Sequence, residues 1–267
     1  MSVANGIASE ANTSEKAQVE IEALTRRLRM PYIRKAAPEV LATARSQRWD
    51  PAEALKILLE EEAKGRDKAT IEGNRRRAGF PSGKTFESWD EAASSIPAPT
   101  QQALKTLEWV GRRENLCLCG ASGTGKSHYL QNLANLAVDR GMKVSWFSLE
   151  DLGALVRRHQ ADDSVAKAIS KVCRVDLIVV DDIGLLPVEG DTAEGFYRLV
   201  DAAYERRSVA ISSNVHPSGF DELMPKNLAG ATVDRLLHHA HVVLTEGESY
   251  RLTEATAGKG VVPLVGE

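Results

Sequence analysis

The stretch GASGTGKS, residues 120–127, has residue types and a spacing that suit it to holding phosphate groups. It matches Gly-x-x-x-x-Gly-Lys-Ser and lies between the apolar run LCLC and the helix-like run HYLQNLANLAV. Glycines let consecutive backbone N–H groups converge on phosphate oxygens, and a following helix presents its positive end to the same anion. The flanking runs favour a phosphate loop over an ordinary glycine-rich turn, because such a loop joins a strand to a helix.

The last residues of this stretch have defined roles in a phosphate loop. Lys126 is expected to reach the β- and γ-phosphates of a nucleotide, and the Ser127 hydroxyl is expected to coordinate Mg²⁺. The sequence therefore predicts a site for a nucleotide and Mg²⁺. The residues expected to contact the nucleotide are Gly120, Ser122, Gly123, Thr124, Gly125, Lys126, Ser127 and His128.

A second stretch, LIVVDDIG at residues 177–184, ends an apolar run with two carboxylates. Buried carboxylates are costly unless a cation meets them, so Asp181 is expected to hold Mg²⁺ directly or through water. Asp182 would then face the γ-phosphate and polarise the attacking water. A strand followed by an aspartate-rich turn is the alternative, and the phosphate loop about 55 residues upstream favours the metal site.

Asn214 and Arg235 are further candidates for this site. Asn214 ends the run VAISSN, where its amide could hold the water or sense the γ-phosphate, although an asparagine at a strand end is usually a turn former. Arg235 lies in the helical segment TVDRLLHHAHVV. It could form a plain surface ion pair with Asp234, or it could be donated to the phosphates of a neighbouring subunit.

Two groups of potential metal ligands are not expected to bind metal. The histidines of HHAH, residues 238–241, resemble a ligand cluster, but adjacent histidines on a helix point in different directions. Cys117 and Cys119 alternate in an apolar run and are expected to be core residues. With Cys173 they are too few for a disulfide framework, so reduced thiols are expected.

Five short apolar runs follow residue 101, and helical stretches separate them. The runs are ENLCLC, KVSWFSL, DLIVVDD, SVAISSN and HVVLTEG. Continuous apolar runs bounded by turn residues are typical of strands buried on both faces, which predicts a five-stranded parallel sheet in a doubly wound α/β fold. Ligands bind at the carboxyl ends of such strands, where the candidate residues lie.

A small all-helical domain is expected to precede the α/β domain. Val19, Ile21, Leu24 and Leu28 recur at helical spacing, and a second apolar stripe follows the cap and first-turn pair Asp50-Pro51. The expected divisions are a flexible tail at 1–15, the helical domain at 16–72, a linker at 73–100, the ATPase domain at 101–254 and a C-terminal tail at 255–267.

The helical domain carries an uneven charge, although the whole chain has a formal net charge of only −3. Between residues 24 and 48 the basic residues are Arg26, Arg27, Arg29, Arg34, Lys35, Arg45 and Arg48, and the only acidic residue is Glu39. Such a cluster can contact phosphates of duplex DNA, and we expect this of Arg26, Arg27, Arg29, Arg34 and Lys35. A solvated face balanced by the acidic run at 60–62 is the alternative.

The sequence favours neither a membrane span nor a secretion signal. No apolar run approaches the ~20 residues of a membrane span. The first fifteen residues lack both a basic start and an apolar segment. We therefore expect no membrane association and, by default, a cytoplasmic location.

Taken together, these motifs resemble the AAA+ ATPases of the replication-initiator group. Within that group the chain is most similar to the IstB-like insertion-sequence transposition helper proteins, with the bacterial helicase loader as the nearest relative. The resemblance covers residues 20–254 and includes the helical domain. Its motifs are RRRAGFP, GASGTGKSHYLQNLA, LIVVDDIG, ISSN, DRLLHHA and GESYRL.

The resemblance implies a role for each matching residue. Lys126 and Ser127 would be the Walker A pair, Asp181 and Asp182 the Walker B pair, Asn214 the first sensor, and Arg235 a finger acting across a subunit boundary. It also implies ATP-dependent self-assembly on duplex DNA and delivery of that bent or remodelled DNA to a partner transposase.

Two departures from the AAA+ pattern affect these expectations. Most AAA+ proteins have Glu where this chain has Asp182, whose shorter side chain predicts slow hydrolysis. Few residues follow Arg235, so the usual helical lid is expected to be short or absent, and Arg251 is a candidate for the lid's sensor arginine.

Two other functions are compatible with parts of the sequence. A helicase loader would use the same ATPase core, with the helical domain gripping a protein instead of DNA. A metabolic P-loop kinase is disfavoured, because such enzymes have a substrate pocket and a lid that this sequence does not show.

Overall fold

A computed structural model describes residues 16–81, 83–184, 188–247 and 249–250 of the 267-residue chain. The chain divides into two units, residues 1–72 (unit 1) and residues 73–267 (unit 2). The tails expected at 1–15 and 255–267 lie outside the described residues.

Unit 1 is built from helices, as the sequence predicted. They are α1 (16–27), α2 (Pro31–Gln47) and α3 (Pro51–Ala78), which continues past the end of the unit. Helix α3 begins after Asp50, whose Oδ1 accepts a 2.8 Å hydrogen bond from the backbone N–H of Ala52. Ile33, Ala37 and Leu58 form the buried core of the unit.

The apolar stripes of unit 1 are only partly used in this core. Ile21 packs against it and Leu58 belongs to it. Five other members stay exposed: Val19, Leu24, Leu28, Leu55 and Leu59. A helical apolar period therefore predicted the helices correctly but not which apolar side chains are buried.

A buried carboxylate from α3 caps the first turn of α2. The residue before α2, Met30, has no side-chain cap. Instead Glu62 Oε2 accepts hydrogen bonds of 2.9 Å from the backbone N–H groups of Tyr32 and Ile33, and its Oε1 accepts one of 2.7 Å from Arg66 Nε. Burial raises the pKa of Glu62, but these hydrogen bonds together outweigh burial and lower it.

Unit 2 alternates strands and helices. Its strands are β1 (Asn115–Gly120), β2 (Val144–Ser148), β3 (Leu177–Ile183), β4 (Ser208–Ser213) and β5 (Ala240–Thr245). Its helices are α4 (Ala98–Lys105), α5 (Glu108–Gly111), α6 (Lys126–Asp139), α7 (Leu149–Gln160), α8 (Val165–Val172), α9 (Gly190–Ala203) and α10 (Lys226–Leu237), with short 3₁₀ segments at Phe86–Ser88 and Pro217–Glu222.

The strands form one parallel sheet in the order β2-β3-β4-β1-β5, which confirms the predicted α/β fold. Strands β1 and β4, in the middle, are buried. Strand β5 lies at an edge, and its Val242 and Leu244 are exposed. The prediction that every strand is buried on both faces is therefore wrong for β5, because Val243 and Thr245 are buried on one face while the opposite face is uncovered. It is also only partly right for β2, which is half-buried along most of its length.

Cys117 and Cys119 are core residues, as the sequence predicted. Both belong to β1 and are buried in the main core of unit 2. Burial raises the pKa of both thiols, that of Cys119 to about 11. They are therefore neutral thiols at physiological pH and poor metal ligands.

Helix length alone does not suggest a membrane span in this chain. Helix α3 has 28 residues but carries many charged side chains. Within the described ranges, no helix combines the length and the apolar character that crossing a membrane requires.

The Glu62 cap makes unit 1 sensitive to acid. We expect Glu62→Gln to lower the free energy of opening of α2 by about 1–3 kcal/mol at pH 7, because hydrogen bonds to a buried charge are lost. Because the pKa of Glu62 is lower in the folded state than its ordinary value of 4.5, its carboxylate stabilises unit 1 at pH values above 4.5. This stabilisation is lost as the pH falls through the folded-state pKa. The difference between wild type and variant should therefore shrink in acid.

Native-state hydrogen exchange of the α2 amides at pH 7 and in acid would measure this effect. Glu61→Gln is the matched control, because the Glu61 side chain is 48% exposed. Equal effects of the two substitutions at pH 7 would contradict the cap.

Candidate nucleotide-binding site

The phosphate loop joins β1 to α6, and two of its glycines are required by close contacts. Gly120 has φ 152°, and a Cβ there would lie 2.0 Å from the Thr245 carbonyl oxygen. Gly125 has φ 89°, and a Cβ there would lie 3.1 Å from the Trp89 ring. Helix α6 begins at the next residue, so its positive end faces the loop.

The Lys126 side chain lies inside the loop. It is only 6% exposed, and its Nζ donates hydrogen bonds of 2.7 Å to the carbonyl oxygens of Gly120 and Ala121. It also donates one of 3.0 Å to Asn214 Oδ1. These oxygens offset the cost of burying an ammonium group, and they connect the loop to the end of β4.

Asn214 joins the ends of β3 and β4. Its backbone N–H donates a 2.8 Å hydrogen bond to the Ile183 carbonyl oxygen, while its side chain accepts from Lys126. The structure therefore brings this residue, expected to be a sensor, to the phosphate loop. Its role toward a γ-phosphate stays a prediction.

Ser127 and Asp181 form the second contact across the site. Ser127 Oγ donates a 2.8 Å hydrogen bond to Asp181 Oδ1, and Ser212 Oγ donates to the same oxygen. Asp181 is 7% exposed. A serine hydroxyl beside a buried carboxylate is the type of oxygen pair that Mg²⁺ prefers, so these residues fit the predicted metal.

Asp182 lies at an irregularity of β3 that the sequence did not predict. The pairing of β3 with β4 shifts between Val180 and Ile183, and Asp182 has φ 61° with an exposed side chain. Its backbone N–H donates a 2.9 Å hydrogen bond to Ser212 Oγ. Ser212 thus contacts the side chain of Asp181 and the backbone of Asp182. In the sequence, only the serines of the motif ISSN point to such a role.

A cavity of about 280 Å³ opens beside the phosphate loop. Trp89, Thr124, Gly125, His128 and Tyr250 are among the residues that line it. The sequence predicts that Thr124, Gly125 and His128 contact the nucleotide, but it does not predict the two aromatic residues. A tryptophan in a stretch read as a linker carries no local signal of this position.

Trp89 is held firmly beside the loop. Its Nε1 donates a 2.8 Å hydrogen bond to Oε1 of the buried Gln101, and its ring meets the rings of His128 and Tyr129 at 4.9 and 5.3 Å between centroids. The backbone N–H of Tyr250 donates a 3.0 Å hydrogen bond to the Gly123 carbonyl oxygen. Residues from the segment before α4 and from the segment after β5 therefore shape this cavity.

Arg235 is held by helix α9. Its Nε lies 2.8 Å from Asp201 Oδ1, its guanidinium carbon lies 5.8 Å from the centre of the Tyr197 ring, and one terminal nitrogen donates a 3.1 Å hydrogen bond to the Ala231 carbonyl oxygen. The ion pair with Asp234 that the sequence suggested is replaced by this pair with Asp201.

Arg235 lies near the N-terminal ends of the strands, whereas the phosphate loop lies at their C-terminal ends. The carbonyl of the next residue, Leu236, accepts a 2.8 Å hydrogen bond from the side chain of Asn115, which begins β1. Gly120, which holds Lys126, ends the same strand. These ends are about 16 Å apart at ~3.3 Å per residue, so Arg235 is out of reach of its own phosphate loop.

The remaining candidates lie elsewhere. Arg26, Arg27, Arg29, Arg34 and Lys35 lie at the end of α1, in the following turn and in α2; all are exposed except the half-buried Arg34. Arg26 pairs with Glu22 at 3.0 Å. Arg251 lies outside the described residues.

The histidines do not follow the expected helical geometry. Helix α10 ends at Leu237, and His239 has φ 62°, so the His238 and His239 rings lie 3.9 Å apart instead of diverging. With Glu205 they form an exposed group of three potential ligands. The expectation that these adjacent rings point in different directions is therefore wrong, because the helix ends before them.

Solved structures show the same fold in other proteins. DnaA from Aquifex aeolicus with bound AMPPCP matches with a TM-score of 0.54 and 22% identity over 71% of this chain and 58% of DnaA. DnaI matches with a TM-score of 0.51 and 16% identity over 61% of this chain and 91% of DnaI. At these identities the likeness shows a shared fold alone.

Sequence relatives cover more of the chain. An ATP-binding protein of insertion sequence IS21 from Pseudomonas aeruginosa is 31% identical over 88% of this chain and 89% of its own length. One from insertion sequence IS232 of Bacillus thuringiensis is 29% identical over 76% and 82%. A model of the IstB-like ATP binding proteins matches residues 23–257. The chain therefore belongs to the IstB-like ATP-binding protein family of insertion sequences.

Proposed function

We propose that the chain is a Mg²⁺-dependent ATPase that assembles on duplex DNA when ATP is bound and helps a partner transposase to capture its target. One observation supports the assembly step: the phosphate loop and Arg235 lie at opposite ends of the strands. The relatives from insertion sequences support the link to transposition.

The residues that meet at the phosphate loop would bind the nucleotide. Lys126 would exchange the loop carbonyls and Asn214 for the β- and γ-phosphates, while the hydroxyl of Ser127 and the carboxylate of Asp181 would hold Mg²⁺. When bound, Mg²⁺ would neutralise phosphate charge. The cavity between Trp89 and Tyr250 would receive the adenosine group.

The hydrolysis step would depend on side chains at the ends of β3 and β4. Asp182 would accept a proton from the attacking water, and Asn214 would orient that water. Because Asp182 is shorter than glutamate and lies at an irregularity of β3, we expect hydrolysis to be slow. A slow step suits a protein whose ATP-bound state must persist on DNA.

Assembly would place the nucleotide between two subunits. Arg235 cannot reach its own phosphate loop, so a role in catalysis requires the loop of a neighbouring subunit. ATP would then favour assembly, because Arg235 would contact a γ-phosphate that is present only before hydrolysis. Hydrolysis would remove this contact, and the assembly would dissociate. The exposed basic residues of unit 1 would contact the DNA backbone with little sequence preference.

A second candidate function is that of a helicase loader, in which unit 1 binds a protein. The exposed apolar residues of α1 and α3 favour this candidate, since unpaired apolar side chains suit a protein contact. They are Val19, Leu24, Leu28, Leu55 and Leu59. Co-purification with a helicase hexamer, without duplex binding, would favour it over the transposition role.

The first test is duplex binding with ATP, with ADP and with the Lys126→Ala variant, followed by electron microscopy. We expect ordered assemblies on duplex with ATP only, and none with the variant, because Lys126 contacts the phosphates. Lys226→Ala removes an exposed charge from α10 and is the control. Equal duplex binding in all nucleotide states would contradict nucleotide control.

The role of Arg235 can be tested by mixing inactive subunits. Arg235→Ala and Lys126→Ala should each lower ATP hydrolysis by about 10³-fold or more. A mixture of the two should recover part of the activity, since some interfaces then join an intact loop to an intact arginine. Absence of recovery in assemblies that contain both subunits would count against action across the interface.

The cavity beside the loop predicts a specific effect of Trp89. We expect Trp89→Ala to weaken ATP and ADP binding alike, by about tenfold, because an aromatic ring contacts the base and not the γ-phosphate. Trp89→Phe should keep most of the affinity. A fluorescent nucleotide displaced by ATP or ADP measures both; unchanged affinity in the alanine variant would place the base elsewhere.

A further inference from the structure

Five arginines lie close together at the N-terminal ends of the strands. They lie in the turns before β1, β2, β3 and β4, and we name them the arginine surface. Its members are Arg113, Arg140, Arg174, Arg206 and Arg207. They are spread over nearly one hundred residues of sequence, so no local charge pattern marks them.

The five residues form one continuous surface. Two hollows of about 460 and 370 Å³ lie side by side, and Arg113, Arg206 and Arg207 line both. Arg174 completes the first hollow and Arg140 the second. The shared arginines therefore form a ridge with a positively charged hollow on either side.

Carbonyl oxygens, not carboxylates, hold three of these side chains. Arg207 Nε donates a 2.9 Å hydrogen bond to the Cys173 carbonyl oxygen, and Arg113 donates one of 3.3 Å to that of Glu205. Arg140 likewise donates to a backbone carbonyl, that of Thr106. Backbone carbonyls orient guanidinium groups without cancelling their charge.

The charge of the surface is almost uncompensated. In the part of the chain that the structure describes, none of the five arginines forms an ion pair with a carboxylate. The neighbouring Arg112 differs, because Glu114 and Glu108 neutralise it. One carboxylate, Asp176, lines the second hollow, and its Oδ2 accepts a 2.8 Å hydrogen bond from the backbone N–H of Lys143. This bond leaves its charge in place, but four arginines line the same hollow.

From this arrangement we infer that the arginine surface binds the phosphate backbone of nucleic acid. Guanidinium groups match phosphate oxygens in pairs, and two charged hollows joined by a ridge suit successive phosphates better than a single small anion. No asparagine, glutamine or aromatic ring lines either hollow, so the amides that read adenine and the rings that stack on bases are missing, and we assign the arginines to phosphates. The contact should be independent of sequence.

This surface is distinct from both sites described above. It lies at the beginnings of the strands, whereas the phosphate loop follows the end of β1. It belongs to unit 2, whereas the basic residues of α1 and α2 belong to unit 1. The inference rests on the proposed function in one respect, since it takes duplex DNA as the polyanion that the protein meets.

The test compares two double variants of the full chain in duplex binding with ATP over a range of salt concentrations. Arg113→Gln with Arg206→Gln removes two charges from the arginine surface. Arg157→Gln with Arg198→Gln is the control, because these residues are about equally exposed and each pairs with a glutamate. The probe is a duplex of about 30 base pairs, in two unrelated sequences.

We expect the first variant to bind both duplexes at least about tenfold more weakly at moderate salt. The slope of log affinity against log salt should fall by about 2, since each phosphate contact contributes about 0.9. ATP binding, measured by displacement of a fluorescent nucleotide, should stay unchanged, and so should the control variant's duplex binding.

The outcomes separate this inference from the proposed function. If the wild type binds duplex and the variant keeps its affinity and salt slope, the arginine surface does not contact DNA, while the proposed function stands. If the variant and the control weaken binding alike, the effect is one of net charge and the inference is overturned. If the wild type binds no duplex, both fall.

Discussion

The buried ammonium group of Lys126 is the constraint around which the site is organised. A charge that is 6% exposed must be met by oxygens, and these come from the loop carbonyls and from Asn214 at the end of β4. The strand order makes this possible, because β4 lies between β1 and β3 and brings three strand ends to one place. Ser127, Asp181 and Ser212 form a second connection across the same strands.

The two ends of the strands have different chemistry. The C-terminal ends gather carboxylates, hydroxyls and the phosphate loop, which suits a nucleotide with its metal. The N-terminal ends carry Arg235 and the arginine surface, whose charges suit phosphates brought by other molecules. The length of the strands separates these two sites, so an ATP-bound subunit can present its N-terminal strand ends to a neighbour while its own nucleotide lies at the C-terminal ends.

Local spacing explains what the sequence could predict. The phosphate loop, the apolar runs and the Asp50-Pro51 helix start are encoded within a few residues, and the structure contains all of them. Trp89 and the arginine surface depend on residues distant in sequence that only the fold brings together. The irregularity at Asp182 and the helix end before His238 were missed for another reason, because each breaks a periodic pattern that the sequence itself continues.

We propose that ATP lies between subunits, with Arg235 of one subunit at the phosphates of the next. The most direct measurement is an electron cryomicroscopy structure of the ATP-bound assembly on duplex DNA, at a resolution that shows side chains. We expect Arg235 to leave Asp201 and to lie within hydrogen-bonding distance of the neighbouring subunit's γ-phosphate. An assembly in which Arg235 stays paired with Asp201 at every interface, far from any nucleotide, would contradict this proposal.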